Sequence, residues 1–247
     1  MTRNAWIIFV VICAALIGGL IWTSQSSKTD VDDVNMNVVQ PASETNGNIA
    51  DHTVGNPDAK VVVVEYADYN CPGCKVADPA IKTAVENYKD DVLLIIRNFP
   101  LAQLHPNARA AAAAAEAAGL QDKFFEMHEK LYLNSTDWQS LSIEKRTQYF
   151  DRYASEIGLD IDKFSSDMNS DRVEAKISLD IALGQKAAVS GTPSIHINGV
   201  LINKHVKDGK LVPESDKGSQ PIWASADTFE EFGLLPALKE AGITVKQ

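Results

Sequence analysis

The feature that most constrains the fold is a short segment in which a strand pattern runs directly into two cysteines and a helical pattern. Residues 61–66 read Val-Val-Val-Val-Glu-Tyr, and β-branched and aromatic residues of this kind favour a strand that is covered on both faces. Cys71 follows, and Pro72 stands at the first position of the predicted helix, where proline is favoured because its missing N–H would have no partner there. The pattern therefore predicts a strand, a tight turn and a helix that begins at Cys71.

The position of Cys71 at a helix N-terminus predicts a reactive thiol. Free amide N–H groups and the positive end of the helix dipole favour the thiolate over the thiol, which lowers the pKa of Cys71. Cys74 lies one helical turn later on the same side, close enough to attack a mixed disulfide formed at Cys71. We therefore expect Cys71 to be the nucleophile and Cys74 the more buried resolving thiol, with Pro72 and Gly73 between them at the substrate-binding surface.

Two other uses of the cysteine pair remain open at this stage. A structural zinc site needs four N or S ligands, and the remaining candidates are Cys13 and five histidines with no ligand-like spacing to the pair. A purely structural disulfide would close a very short loop, and it would stabilise the fold little because the entropic gain depends on loop length. Redox exchange is the favoured interpretation, and it requires neither a metal nor an organic cofactor.

The N-terminal sequence predicts a membrane anchor. Residues 5–22 form an uncharged run that at about 1.5 Å per residue spans roughly 27 Å, just enough to cross a bilayer. Trp6 and Trp22 stand at its ends, where interfacial aromatic residues are common, and the positive charge before it places residues 1–4 in the cytoplasm and the rest of the chain outside. A cleaved signal peptide is the alternative, although the apolar run is longer than usual and no strong cleavage site follows it.

Residues 23–51 are predicted to form a flexible tether between this anchor and one folded domain, residues 52–247. The segment is rich in Ser, Thr, Asn, Gln and Asp and has almost no aromatic residues, so it cannot bury enough apolar surface to fold alone. The formal net charge of the chain is −10, which argues against nucleic acid and anionic lipid as partners. Two cysteines outside the anchor are too few for a disulfide framework and are typical of a reactive pair in an extracytoplasmic domain.

Strand and helix patterns alternate along the folded part in the way that an α/β domain requires. A helix over 72–89 leads to a second buried strand over 92–99, and this order implies a parallel pair of strands with a right-handed crossover. Strand signals vanish over about 104–170, where alanine-rich and amphipathic periods predict a helical insertion. One more long helix is predicted over 171–189.

Three further features are predicted near the C-terminus. Residues 194–202 form a hairpin pattern that turns on Asn198-Gly199. The polar stretch 204–226 is long for a loop in a compact domain, so we expect either a lid over the active-site groove or a second short hairpin. A closing helix over 228–241 should be bent or restarted at Pro236, because proline cannot donate an intrahelical hydrogen bond.

Several motifs together resemble the DsbA-like branch of the thioredoxin-fold thiol:disulfide oxidoreductases, over about residues 54–200. They are Glu65 six positions before Cys71, the Cys-Pro-x-Cys corner, Arg97-Asn98-Phe99-Pro100-Leu101, His105-Pro106-Asn107-Ala108, Lys123-Phe124-Phe125-Glu126-Met127-His128 and Gly191-Thr192-Pro193-Ser194. The resemblance implies a thioredoxin fold in which a helical insertion separates the second strand from the strand after Pro193. It also implies a cis peptide bond between Thr192 and Pro193 beside the Cys71 sulfur. The backbone of Thr192 would then pair with an extended substrate.

Glu65 lies on the same face of the predicted strand as Val61 and Val63. A carboxylate in so buried a position is costly, so the pKa of Glu65 should be raised. The resemblance implies that this glutamate relays a proton for the buried thiol, Cys74. A structural hydrogen-bonding role for Glu65, or a relay through Asp68, is the alternative.

The histidines are expected to play a smaller part. The best-known oxidases of the resembled family have a histidine between the cysteines, whereas this chain has Pro72-Gly73 there, so the Cys71 thiolate must depend on the helix terminus and backbone donors. His105 is expected to mark the start of a helix. Met127 and His128 are expected to belong to the packed face of the helical insertion.

These observations predict an enzyme that exchanges disulfides outside the cytoplasm. The leading interpretation is an oxidase that takes electrons from pairs of thiols in exported proteins and returns them to a membrane-bound, quinone-linked oxidant. A disulfide isomerase or reductase would use the same site from its dithiol form, because the direction depends on the reduction potential rather than on the motif. A non-catalytic thioredoxin-fold binding module is the third interpretation, since fold does not fix function.

Overall fold

A computed structural model describes Trp6, Phe9, Ile12, Cys13 and residues 29–244 of the chain. The predicted cytoplasmic segment 1–4 and, apart from those four single residues, the predicted membrane span 5–22 lie outside the described residues. Among the residues that are described, no helix is both long and apolar enough to cross a membrane.

A five-stranded mixed sheet lies at the centre of the domain. Its strands are β1 (His52–Gly55), β2 (Val61–Ala67), β3 (Val92–Asn98), β4 (Ser194–Ile197) and β5 (Val200–Leu201), in the order β1-β3-β2-β4-β5. β2 and β3 are parallel, with Val61 opposite Val92, and the other neighbouring strands pair antiparallel. The predicted parallel pair and the hairpin on Asn198-Gly199 are therefore confirmed. The edge strand β1 was not predicted, because four residues are too few to show a period.

The helices occupy the positions that the sequence periods indicate. They are α1 (Pro72–Glu86), α2 (Ala108–Gly119), α3 (Phe124–Leu133), α4 (Ser135–Trp138), α5 (Ile143–Glu156), α6 (Ile161–Asp167) and α7 (Asp171–Lys186). α1 joins β2 to β3, and α2 to α6 form the helical insertion predicted over 104–170. Ala111, Ala114 and Ala118 have no exposed surface, since their small side chains let α2 lie deep in the core.

The polar stretch 204–226 contains a second hairpin, which was one of the two structures predicted for it. β6 (His205–Lys207), β7 (Lys210–Val212) and β8 (Gln220–Pro221) form a separate three-stranded sheet in the order β7-β6-β8. A short 3-10 turn, Ile222–Ala224, and helix α8 (Ala226–Phe229) follow. A π-helical turn, Glu230–Leu234, then leads into α9 (Leu235–Glu240). Pro236 lies in the first turn of α9, so the predicted restart of the closing helix is confirmed.

The prediction of a flexible tether over 23–51 is wrong for residues 31–51. Val31 and Ile49 are buried among the core residues of the domain. The ammonium group of Lys186 donates to three backbone carbonyls of the segment at 2.6–2.9 Å. The segment thus packs along the domain, held by main-chain hydrogen bonds and a few apolar contacts that its polar composition does not indicate.

Buried charges fasten the end of this segment to the sheet. The carboxylate of Asp51 accepts hydrogen bonds from Arg97 at 2.7 Å and from Lys176 at 3.2 Å, and none of the three side chains is exposed. Arg97 also donates to two backbone carbonyls of the segment at 2.6 and 2.9 Å. Burial alone would raise the pKa of Asp51, but the two cations more than offset it and hold that pKa below its ordinary value.

Candidate active site

Cys71 stands at the corner between β2 and α1, where the sequence placed it. It is the N-cap residue of α1, with extended backbone angles (φ −76°, ψ 120°), and Pro72 begins the helix. The carboxylate of Asp68 fixes the turn by accepting hydrogen bonds from the backbone N–H of Asn70 at 2.8 Å and of Leu101 at 2.9 Å. The backbone of the corner therefore determines where the Cys71 side chain lies.

The Cys71 thiol is partly buried, and its sulfur lies 3.1 Å from the carbonyl oxygen of Thr192. The hydrogen bond from the Cys74 thiol is the largest influence that lowers the pKa of Cys71, to about 5. Burial opposes this, while the backbone N–H groups of Cys74 and Gly73 add to it. The predicted lowering of the pKa is confirmed, and the neighbouring thiol is the largest of the influences that lower it.

Cys74 lies one helical turn into α1 and has no exposed surface. Burial raises its pKa well above the ordinary value, and the hydrogen bond to Cys71 and the carboxyl of Glu65 raise it further. The backbone N–H of Asp68 points at the sulfur from 3.5 Å. At neutral pH the pair therefore holds one thiolate, at Cys71, and one thiol, at Cys74, which is the division of charge that a nucleophile and a resolving thiol need.

The surroundings of the cysteine pair do not favour a structural zinc site. Cys71 and Cys74 are free thiols in this structure. In the part of the chain that the structure describes, no three His, Cys, Asp or Glu residues are grouped so that they would hold a metal ion. One accessible, acidic thiol above one buried thiol is an arrangement suited to disulfide exchange.

The peptide bond between Thr192 and Pro193 is cis, as the resemblance implied. Pro193 lies directly against Gly73: a Cβ atom built on Gly73 would stand 3.0 Å from Pro193 Cδ and 3.6 Å from Cys71 Sγ. Because real Cβ atoms rarely approach other atoms so closely, the absence of a side chain at Gly73 is what lets the proline loop lie beside the nucleophile. The predicted residues Pro72, Gly73, Thr192 and Pro193 are thus brought together around Cys71.

Glu65 lies on the face of β2 that α1 covers. Val61 and Val63 share that face and belong to the same buried cluster as Cys74. The Glu65 side chain has no exposed surface, and neither of its oxygens has a hydrogen-bond partner among the described residues. Burial, and then the negative charge of Asp78, raises the pKa of Glu65 well above its ordinary value. The predicted rise is confirmed, and the neutral, proton-carrying form of Glu65 is favoured.

Asp68, the alternative relay, is engaged in shaping the corner. Besides its two backbone donors, its carboxylate lies 2.8 Å from Nδ1 of His105. His105 precedes α2, as predicted, and its side chain is one-quarter exposed, whereas that of Asp68 is fully buried. Glu65, whose oxygens are unpartnered, is therefore the better placed of the two carboxyl groups to hold and release a proton.

A buried chain of polar groups near Glu65 was not predicted. The Tyr69 hydroxyl lies 2.9 Å from Nδ1 of His128, and Nε2 of His128 lies 2.7 Å from Asp78. A carboxylate only accepts, so His128 donates to Asp78 through Nε2. His128 is packed, as predicted, but it is also hydrogen-bonded. In the sequence, the four-residue spacing of Cys74 and Asp78 indicated only that Asp78 lies on the same face of α1 as the buried thiol.

Trp223 is a second residue at the site that was not predicted. Its ring atom Cη2 lies 3.5 Å from the point where a Gly73 Cβ would stand. The stretch 204–226 therefore reaches the edge of the active site through this side chain. A single tryptophan in an otherwise polar stretch was the only signal in the sequence.

The chain is similar to known proteins over most of its described part. A family model described as thioredoxin matches residues 47–212. The Na(+)/H(+) antiporter NhaA 1 of Mycobacterium sp. (strain KMS) is 36% identical over 170 residues, which are 68% of this chain but 26% of the antiporter. The chain thus spans about a quarter of the length of that curated relative, and nothing about ion transport follows from the match.

Two crystal structures share the fold. A thioredoxin-like oxidoreductase from Silicibacter pomeroyi DSS-3 is 28% identical with a TM-score of 0.55, over 82% of this chain and 98% of that one. Oxidised BdbD from Bacillus subtilis is 23% identical with a TM-score of 0.58, over 83% of this chain and 100% of that one. At 23% identity, the likeness to BdbD concerns the fold alone.

Proposed function

This chain belongs to the thioredoxin family, and on that premise we propose that it is a thiol:disulfide oxidoreductase that forms disulfides in exported proteins. The observation that carries the proposal is the difference between the two thiols. Cys71 is partly exposed with a pKa of about 5, whereas Cys74 is buried with a raised pKa. One sulfur is thereby suited to meet a substrate and the other to close the disulfide.

The catalytic cycle takes two electrons from a substrate dithiol. A substrate thiolate attacks Cys71 Sγ of the disulfide form, the bond to Cys74 breaks, and the Cys74 sulfur leaves with the electron pair and takes up a proton. A second substrate thiolate attacks the substrate sulfur of the mixed disulfide, which releases an oxidised substrate and the Cys71 thiolate. The low pKa of Cys71 makes it a good leaving group in this second step.

Glu65 is the proposed proton donor in the first step. The departing Cys74 sulfur is buried, so a neighbouring group has to supply its proton. The carboxyl of Glu65 is buried nearby, acts on the pKa of Cys74 and keeps its own proton because of its raised pKa. The described residues offer its oxygens no hydrogen-bond partner, which leaves that proton uncommitted.

Substrate is proposed to bind as an extended segment along the proline loop. The pairing of β4 with β2 begins at Ser194, so the backbone of Thr192 is not used by the sheet. An extended polypeptide can therefore pair with Thr192 and bring its cysteine to Cys71. Pro72, which follows the nucleophile in the chain, is exposed.

The low pKa of Cys71 favours oxidation over the isomerase or reductase reaction. Stabilising the Cys71 thiolate stabilises the reduced form of the pair, and a stabilised reduced form makes the disulfide a stronger oxidant. The electrons then have to leave the reduced pair, and we propose a membrane-bound, quinone-linked oxidant as the partner that accepts them.

We also propose that residues 5–22 anchor the enzyme in the membrane, with the folded domain outside the cytoplasm. The support is the uncharged run and its flanking tryptophans. Because residues 31–51 pack on the domain, only residues 23–30 separate the two, and they can reach at most about 28 Å. The domain would thus work close to the membrane surface. Recovery of the full-length protein, N-terminus included, from washed membranes supports this, and recovery of a chain cleaved after residue 22 from the soluble fraction contradicts it.

A trapping experiment tests the exchange activity. In a Cys74→Ser variant the mixed disulfide at Cys71 cannot be resolved, so exported proteins should accumulate on the enzyme and be released by a reductant. The matched control is Cys71→Ser, which keeps the other thiol and should trap none. Absence of trapped proteins, together with normal complementation by a Cys71→Ser, Cys74→Ser double variant, would show a binding module instead of an enzyme.

A further inference from the structure

The turn Ile222–Ala224 holds Trp223 firmly at the edge of the active site. Ile222 is completely buried, and its N–H donates to the backbone carbonyl of Lys204 at 3.0 Å. The carbonyl of Ile222 accepts a hydrogen bond from the Thr228 hydroxyl at 2.6 Å. Trp223 itself stays partly exposed, so a rigid backbone presents part of an indole ring to solvent.

The indole lies beside the nucleophile. The position that a Cβ atom on Gly73 would occupy is 3.5 Å from Trp223 Cη2, 3.6 Å from Cys71 Sγ and 3.0 Å from Pro193 Cδ. The ring, the sulfur and the proline therefore border the same small area. A polypeptide whose cysteine reaches Cys71 therefore comes to the area that Trp223 borders.

Two residues of α1 next to Gly73 offer exposed apolar surface. Pro72 is exposed, and Val76, one turn further along α1 on the side of Gly73, is 48% exposed. A partly exposed aromatic ring next to aliphatic surface gains free energy by covering another apolar side chain. Charged substrate side chains have no partner of opposite sign in this set of residues.

The spacing of an extended chain indicates which substrate residue meets the ring. Side chains two positions apart in a strand point to the same face and are separated by about 6.6 Å. Trp223 Cη2 and Cys71 Sγ each lie within 3.6 Å of one point, so one segment can contact both. When a substrate cysteine points at Cys71, the side chain two residues away points to the same face, at a spacing from which it can contact Trp223.

We propose that Trp223 is a substrate-positioning residue that selects extended polypeptide thiols with an aromatic or large aliphatic side chain two residues from the reacting cysteine. This role rests on the proposed exchange activity and adds a sequence preference to it. Thr192 would hold the substrate backbone without regard to sequence, and Trp223 would supply the selectivity.

The test compares the rates at which the full-length oxidised enzyme reacts with three thiols. Two of the thiols are cysteine peptides that are otherwise identical. One carries Phe two residues before and two residues after the cysteine, and the other carries Gly at both positions. The third thiol is dithiothreitol. Trp223→Ala should lower kcat/KM for the Phe peptide about three- to tenfold, because an aromatic pair contributes about 0.5–1.5 kcal/mol. The Gly peptide and dithiothreitol should change less than about twofold, and Trp223→Phe should keep most of the preference.

Leu211→Ala is the matched control, since it removes a 49% exposed apolar side chain from the same C-terminal hairpin region and should leave all three rates unchanged. An equal loss for all three thiols, or an unchanged preference for Phe in Trp223→Ala, would overturn the role of Trp223. Failure of the wild type to oxidise even dithiothreitol would instead refute the proposed exchange activity. The two failures are therefore distinguishable.

Discussion

The pKa of Cys71 should rise when Cys74 is replaced by alanine. The thiol of Cys74 is the strongest of the influences that lower the Cys71 pKa to about 5. Alanine removes this donor but leaves the backbone N–H groups of Gly73 and of residue 74 in place. A hydrogen bond to a charged group is worth about 1.5–3 kcal/mol, or about one to two pKa units. The pKa of Cys71 in Cys74→Ala should therefore lie between about 6 and 7.

Serine at position 74 is the matched control, because its hydroxyl keeps a donor one turn along the helix. The assay is the ultraviolet absorbance of the thiolate together with the rate of alkylation by iodoacetamide, each followed from acidic to alkaline pH. All variants carry Cys13→Ser so that only Cys71 titrates. Half-ionisation should occur near pH 5 in Cys74→Ser and at higher pH in Cys74→Ala. If both variants titrate at the same pH, the neighbouring thiol is not the main cause, and the helix terminus has to account for the acidity.

Three further substitutions test other parts of the site and fold. Thr192→Val removes a hydroxyl that has no hydrogen-bond partner among the described residues, so the same titration should show a smaller rise in pKa than Cys74→Ala; an equal or larger rise would contradict the ranking. The raised pKa of Glu65 means that the native state binds its proton more tightly than the unfolded state, so this group costs stability as pH rises above its unfolded pKa. In urea denaturation, the free energy of unfolding of Glu65→Gln should therefore increase relative to that of the wild type as the pH rises from about 4 to about 8. A difference between the two free energies that stays constant over this range would refute the reasoning. Asp51→Asn leaves two buried cations without their shared carboxylate and should cost about 3–5 kcal/mol of unfolding free energy, whereas a loss below about 1 kcal/mol would show that the buried cluster is not needed.

The strand-to-helix corner was predictable because its signals are local. The valines of β2, the proline after Cys71 and the three-residue spacing of the cysteines together determine a strand, an N-cap and a helical turn. The cis bond before Pro193 came from resemblance, since a proline at the start of a strand is ordinarily trans.

The N-terminal segment was mispredicted because its packing depends on contacts distant in sequence. Its composition is that of a disordered chain, yet Asp51 meets Arg97 and Lys176 in the core. A polar segment can be ordered by one buried ion cluster and a row of main-chain hydrogen bonds, and neither leaves a period in the sequence.

The unpredicted residues at the site have the same explanation. His128 meets Tyr69 and Asp78 from 59 and 50 residues away. Trp223 reaches Gly73 on α1 from the 3-10 turn that follows β8. Such pairings follow from the packing of the insertion and the C-terminal hairpin against α1, so they became visible only in three dimensions.

The reduction potential of the Cys71-Cys74 pair, equilibrated against glutathione redox buffers, tests the central claim most directly. A Cys71 pKa of about 5 stabilises the dithiol form, so the potential should lie toward the oxidising end of the thioredoxin-fold range, near about −120 mV. A potential near about −270 mV would contradict the claim, because such a pair gives electrons to its substrates rather than taking them.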